Sequence, residues 1–196
     1  MKVLLESLFG CFLLGAVTLA SGQTANPAGA AADTPDIETG HPPPAHANNT
    51  DQLFIRELAL GGQAEVDFGK LAAQKGQNDK IKAFGRRMTD DHSKGNDKLT
   101  PLARAIDVPL RKDVDVDHRV MRAELDKSSG AAFDVAYIRG QVREHQKTAH
   151  LLEWEIGSGQ DARVRAYAAQ MLPVVLDHLE HAQALQAELT GSATRL

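Results

Sequence analysis

Three histidines of this chain share an inward register and each follows an acid: Asp91 and His92, Glu144 and His145, Asp177 and His178. Each histidine falls at an inward position of a run with alternating 3 and 4 spacing, the pattern that lines side chains along the seam of a helical bundle. Met88, His92, Gly95 and Leu99 make one run, Ile138, Val142, His145 and Ala149 a second, and Val174, His178 and Ala182 a third. A fourth run, Leu58, Gly61, Glu65 and Phe68, carries a carboxylate in the corresponding place. Three imidazoles and a carboxylate facing one another suit a borderline transition-metal ion such as zinc, copper or iron. Glu65, His92, His145 and His178 are therefore the candidate ligands of one such ion.

A second reading stays open beside the first. A charged Glu in a core is costly unless paired, and a neutral buried histidine needs a partner at each ring nitrogen. A bound metal meets that need, and so does a metal-free, hydrogen-bonded layer of Glu and His that fixes helix register. The acids Asp91, Glu144 and Asp177 sit about 100° round the helix from the histidines they precede. They cannot share the seam, but they can hold a histidine from a neighbouring helix. His181, three residues beyond His178, is a further imidazole at the seam's edge, whereas His150 and His118 are expected to face solvent.

Nearly every segment from Asn49 onward has helical periodicity, and no alternating run is long enough to argue for a strand. Asn49 with Gln52 reads as a capping box opening a first helix that Gly76 closes. Asn78 caps a second helix running to about Asp107, with Pro101 inside it as a kink or junction. A short helix over about 114–127 lies in the connection that follows. "KSSG", Lys127 to Gly130, opens a long helix over about 131–156, and "GSGQD", Gly157 to Asp161, turns the chain into a last helix reaching about Leu189, with Pro173 as a second kink. Two long hairpins joined by a long connection make an all-α, ferritin-like four-helix bundle whose crossover carries an extra short helix.

At about 1.5 Å per residue, Glu65 lies roughly 17 Å and His92 roughly 22 Å from the turn joining their helices. If the crossover returns the chain to that end, His145 comes about 21 Å down the third long helix and His178 falls roughly 14 Å from the same end. All four groups then share one mid-bundle layer.

The rest of the chain sets limits. The formal charge of −4 and the pI near 6.0 give no basic face for nucleic acid. The start, "MKVLLESLFGCFLLGAVTLASGQ", reads as a secretory signal over 1–20 cleaved after Ala20, its apolar run being shorter than the about 20 residues of a membrane span. The one cysteine, Cys11, lies inside that segment, so the mature chain forms no disulfide. Residues 21–50, rich in Ala, Pro, Gly, Asn and Thr and including "HPPPAH" at His41 to His46, read as a disordered linker. The bundle spans 51–190, and the mature chain carries no transmembrane helix. Protein partners are unknown from the sequence.

Three stretches in order, "GGQAEVDFGKLAAQKGQNDKIKAFGRRMTDDHSKGNDKL" (Gly61 to Leu99), "SGAAFDVAYIRGQVREHQKTAHLLE" (Ser129 to Glu153) and "AAQMLPVVLDHLEHAQAL" (Ala168 to Leu185), resemble a widespread bacterial domain-of-unknown-function family, number 4142. The resemblance covers about Asp51 to Leu189. It implies a ferritin-like bundle that is exported, periplasmic or otherwise, in proteins often labelled putative membrane or outer membrane proteins, with no established reaction. The family motifs include the acid of the first helix and the histidines of the other three, matching Glu65, His92, His145 and His178.

A di-iron oxidase would need four carboxylates and two inward Glu-x-x-His pairs, yet Thr89, Val142 and Val175 stand three residues before the inward histidines. No cysteine nucleophile survives export and no serine triad is evident, so the chain leans away from being an enzyme. The sequence favours a protein binding or sequestering one transition-metal ion, with a structural or stress-protective bundle as the alternative.

Overall fold

The computed structural model describes residues 47–111 and 113–193; the expected signal segment, Cys11, His41 and His46 lie outside them. Five helices follow in order: α1 (Asn49–Lys75), α2 (Asp79–Ala105), α3 (Val116–Lys127), α4 (Gly130–Ser158) and α5 (Ala162–Ala193). The described residues contain no strand, and the all-α expectation holds. None of these helices is long and apolar enough to cross a membrane.

The first helix opens one residue earlier than the capping pattern suggested. Asn48 is the cap, with its side chain accepting from Asp51 N at 2.9 Å while Asp51 Oδ2 accepts from Asn48 N at 2.8 Å. With Asn48 as the cap, Asp51 and not Gln52 stands at the third helical position, from which a side chain reaches back to the cap amide. Gly76 ends α1 and Asn78 caps α2, both as expected. The helix continues to Ala105 through Pro101, and α5 likewise runs through Pro173.

Two aspartates tie the hairpins together. Asp51, near the start of α1, accepts from the backbone N–H groups of Gln160 and Asp161 in the α4–α5 turn, at 3.0 and 3.1 Å. Asp134, near the start of α4, accepts from Gln77 and Asn78 in the α1–α2 turn, at 2.9 and 2.7 Å. Both carboxylates are buried. These bonds place the start of each hairpin against the turn of the other, so α1 and α4 are antiparallel and the crossover returns the chain to the α1–α2 turn. That is the route the mid-bundle layer required.

The two hairpins are copies of one pattern. A constant offset that carries Asp51 onto Asp134 also carries Phe54 onto Tyr137, Ile55 onto Ile138, Gln77 onto Gln160, Phe84 onto Tyr167 and Met88 onto Met171. The turn caps correspond as well: Asn78 accepts from Lys80 N, and its counterpart Asp161 accepts from Arg163 N.

Within the first hairpin the helices approach at two glycines. A Cβ on Gly69 would stand 2.6 Å from Gly85 O, and one on Gly85 would stand 2.7 Å from Gly69 O. Only glycine fits that crossing. The apolar core is in two parts. One, around Phe68, Phe84, Met88, Phe133, Tyr137 and Ile138, lies toward the α1–α2 turn; the other, around Phe54, Ile55, Leu99, Leu152, Val164 and Val175, lies toward the α4–α5 turn. Burying side chains of this size is worth about 1.5–3 kcal/mol each, and the polar residues of interest fall between the two clusters.

Candidate metal centre

His92 on α2, His145 on α4 and His178 on α5 converge. Their ring centroids form a nearly equilateral triangle with sides of 5.5 Å (His92–His145), 5.5 Å (His92–His178) and 5.4 Å (His145–His178). One ring nitrogen from each lies within 4.8 Å of the other two. His92 Nε2 and His145 Nε2 are 3.4 Å apart. Two nitrogens each about 2.0–2.1 Å from a tetrahedral zinc stand about 3.3–3.4 Å from one another, so this pair already has the spacing of two ligands on one ion.

Hydrogen bonds to the outer nitrogens fix which atoms are free. His145 Nδ1 donates to the carbonyl oxygen of Gln141, one turn back on its own helix, at 2.9 Å. Its lone pair is therefore on Nε2. His178 Nε2 donates to Asp91 Oδ2 on α2 at 3.1 Å, leaving the lone pair on Nδ1, a buried atom with no hydrogen-bond partner. An imidazole held by one nitrogen with the other bare is the usual condition of a metal-bound histidine.

The electrostatics agree. Burial first, and then the neighbouring imidazoles, push His92 down to about 3 and His178 down to about 4. Burial pushes His145 down to about 4 against the opposing pull of its Gln141 bond. All three are neutral at physiological pH, the form that binds metal. Burial works against ionised Asp91, yet His178 and Arg87 together hold it below the usual carboxylate range.

Glu65, the fourth expected ligand, stands outside the set of nitrogens that meet. It is 4 % exposed, and its Oε2 accepts from Gln141 Nε2 at 2.7 Å, while Oε1 has no partner. Burial pushes its carboxyl up to about 7. Gln141 thus bridges the two groups, its carbonyl holding His145 and its side chain holding Glu65.

The neighbouring acids divide by role. Asp91 reaches His178 across the α2–α5 interface, as anticipated for an acid supporting a seam histidine. Glu144 instead faces His118 of α3, Oε2 to Nε2 at 3.5 Å. Asp177 is exposed and pairs with Arg87. His181 is exposed and lies edge-on to Phe84, with ring centroids 5.2 Å apart.

His118 was expected in solvent and is 4 % exposed. Its Nδ1 sits 2.6 Å from Asp115 Oδ2, and its ring packs against Phe68 with centroids 6.0 Å apart. The signal was present in the spacing: His118, Met121 and Leu125 follow the 3 and 4 rule and are the buried face of α3. Glu155 was also missed. It is 0 % exposed, and burial, with a hydrogen bond to Asp51 beside it, pushes it up to about 8.

Fold and site together define a helical bundle whose polar middle layer carries a cluster of three neutral imidazoles. The chain belongs to the domain-of-unknown-function family DUF4142, whose profile matches residues 37–185. No curated protein matches it. Among solved structures the chain is similar to a DUF305 fragment from Deinococcus radiodurans, at 10% identity over 73% of this chain and 99% of that one, with a TM-score of 0.66. It is also similar to a putative secreted DUF305 protein from Streptomyces coelicolor, at 12% identity over 72% and 94%, with a TM-score of 0.62. A third neighbour is CopM in its Cu(I)-bound form, at 17% identity over 68% and 93%, with a TM-score of 0.57. At these identities the likeness concerns the fold.

Proposed function

We propose that this protein binds and sequesters one transition-metal ion through His92, His145 and His178, and that it does so outside the cytoplasm after export by its amino-terminal segment. The observation that carries the reading is the convergence of three neutral imidazoles, their nitrogens within 4.8 Å and one pair 3.4 Å apart, with Asp91 and Gln141 O holding the other nitrogens of His178 and His145. All-imidazole ligation suits zinc and copper ahead of iron, which favours carboxylates in bundles of this kind. A Cu(I)-bound neighbour of similar fold supports copper as the first ion to test. The export reading rests on the secretory character of residues 1–20.

The alternative, a metal-free polar layer, leaves His178 Nδ1 without a hydrogen-bond partner, an arrangement a buried structural network avoids. Untagged protein purified from cells, and separately loaded with Zn(II) or Cu(I), is analysed for metal beside a His92→Ala variant. One equivalent in the parent and none in the variant is expected. Equal metal in both, or none under any loading, removes the reading. Fractionation of cells expressing the full chain tests export: retention of the uncleaved chain in the cytoplasm contradicts it.

A further inference from the structure

The two-copy pattern of the chain sets two glycines of the first hairpin where the second has histidines. The offset that pairs the hairpins carries Gly62 onto His145 and Gly95 onto His178. Where the second hairpin supplies two imidazoles, the first supplies two hydrogen atoms, and both glycines line a cavity of about 40 Å³. That is room for a few water-sized molecules, each needing about 10–15 Å³. Gly61, Glu65, His92 and Tyr167 also line it. His92 is the one member of the imidazole cluster on this wall.

Two features of the cavity point to a ligand. Glu65 lines the cavity; its Oε1 is buried without a hydrogen-bond partner, and the other oxygen of that carboxyl is already taken by Gln141. The imidazole cluster offers three nitrogens, and no fourth His, Cys, Asp or Glu among the described residues joins it. A tetrahedral ion with three protein ligands keeps a fourth position for a small molecule.

We propose that the cavity is the site of a small exchangeable ligand of one to three atoms, water or a pseudohalide, which reaches the ion past His92 and hydrogen-bonds to Glu65 Oε1. The proposal rests on the metal reading above and adds that the centre is open on its His92 side. Glu65 is a positioning residue in this scheme: it orients the small ligand and does not touch the ion. Because its carboxyl holds a proton up to about pH 7, it can donate to an anion or accept from water.

Cobalt(II) and azide are the probes. The full chain without its signal segment is titrated with Co(II), the visible absorption is recorded at pH 6, and azide is then added. One equivalent of cobalt and a saturable azide-dependent change in the cobalt bands are expected. Gly61→Leu, at a position where a Cβ meets nothing within 4 Å, fills the cavity from the helix backbone. It should weaken azide binding about tenfold or more by steric exclusion while cobalt still binds at one equivalent. Glu65→Gln, which keeps shape but changes the hydrogen-bonding end, should also shift the azide affinity and serves if the leucine variant fails to fold.

Cobalt bound at one equivalent with bands indifferent to saturating azide overturns the proposal and leaves the metal reading standing. Azide affinity unchanged in both variants overturns the cavity as its route. No cobalt bound by the parent protein overturns this proposal, while the metal reading stands or falls by the zinc and copper loadings.

Discussion

Asp91 on α2 holds His178 on α5 by a 3.1 Å hydrogen bond at Nε2, turning the other ring nitrogen of His178 into a bare, buried electron pair. The contact crosses between the two hairpins, and it binds the metal-site hypothesis to a residue that would not itself touch the ion. Asp91→Asn keeps the shape but removes the charge that strengthens the bond. Metal affinity should fall about 10- to 100-fold, measured by competition with a chromophoric chelator, while helical content by circular dichroism stays unchanged. An unaltered affinity would show that His178 is oriented by packing alone.

The imidazole cluster is a weak point of the metal-free bundle, since His178 buries an unpartnered nitrogen. Replacing both a buried polar group and its demand for a partner with an apolar group of similar size can be neutral or stabilising. His178→Leu should therefore unfold at the same temperature as the parent or higher when both are metal-free. The parent alone should gain stability on loading, about 2.7 kcal/mol at a free metal concentration 100 times Kd, a rise of several degrees in thermal melts. A metal-dependent rise of equal size in the variant would speak against His178 as a ligand.

Glu155 links stability to pH. Its folded pKa of about 8 lies above the ordinary value of 4.5, so the folded state holds more protons than the unfolded state between those values. Stability conferred by the protonated side chain is complete below about pH 4.5, declines as pH rises, and is gone above about pH 8. Glu155→Gln cannot ionise. Relative to the parent it should gain stability steadily across that window and exceed it by about 2–4 kcal/mol at pH 9, read from urea midpoints of the metal-free proteins at several pH values. Parallel pH profiles for the two proteins would contradict the account.

His118 acts in the same sense, but through a charged form that its partners hold. Burial opposes its charge, but Glu144 and Asp115 outweigh burial and raise its pKa above 6.5. The clasp between α3 and α4 is at full strength below the unfolded pKa and weakens as pH rises through the raised folded value. Hydrogen exchange at the amides of α3 should accelerate more between pH 6 and 9 than the intrinsic rate does, and His118→Gln should abolish that excess. Exchange in α3 that follows only the intrinsic rate in the parent would refute the clasp.

The paired aspartates should both contribute. Asp51→Ala and Asp134→Ala each strip the acceptor from two turn amides, which leaves donors unpaired at a cost of about 1–3 kcal/mol. Chemical denaturation of each variant checks the magnitude. Both variants lose stability if the two hairpins are built on one plan, Asp51→Ala by more because it also frees the Asn48 amide of the capping box; a loss at only one site would count against their equivalence.

Much of this was readable in the chain as written. Helix limits came from local chemistry, because Asn78, Gly76 and the 3 and 4 spacing act within a turn or two of their own positions. The convergence of His92, His145 and His178 was anticipated by counting rise along each helix, which works because an α-helix is a ruler. Glu65 escaped the same count. Its height in the bundle suited a ligand, but Gln141 captured one of its oxygens and left the other buried without a partner. Height along a helix follows from sequence; which neighbour a side chain meets does not.

His118 and Glu155 make the same point. A crossover segment reads as surface until it is known to lie across α1 and α4, and an acid reads as solvated until a turn from the same hairpin closes over it, as Gly159 does above Glu155. What the sequence by itself determined was the set of five helices, the two long hairpins and the three inward histidines, since each depends on periodicity and capping that operate over a few residues. What the tertiary structure alone decided was the membership of the cluster, the nitrogens that remain bare, and the cavity beside it, because these depend on distances between side chains that neighbouring helices, far apart in sequence, bring together.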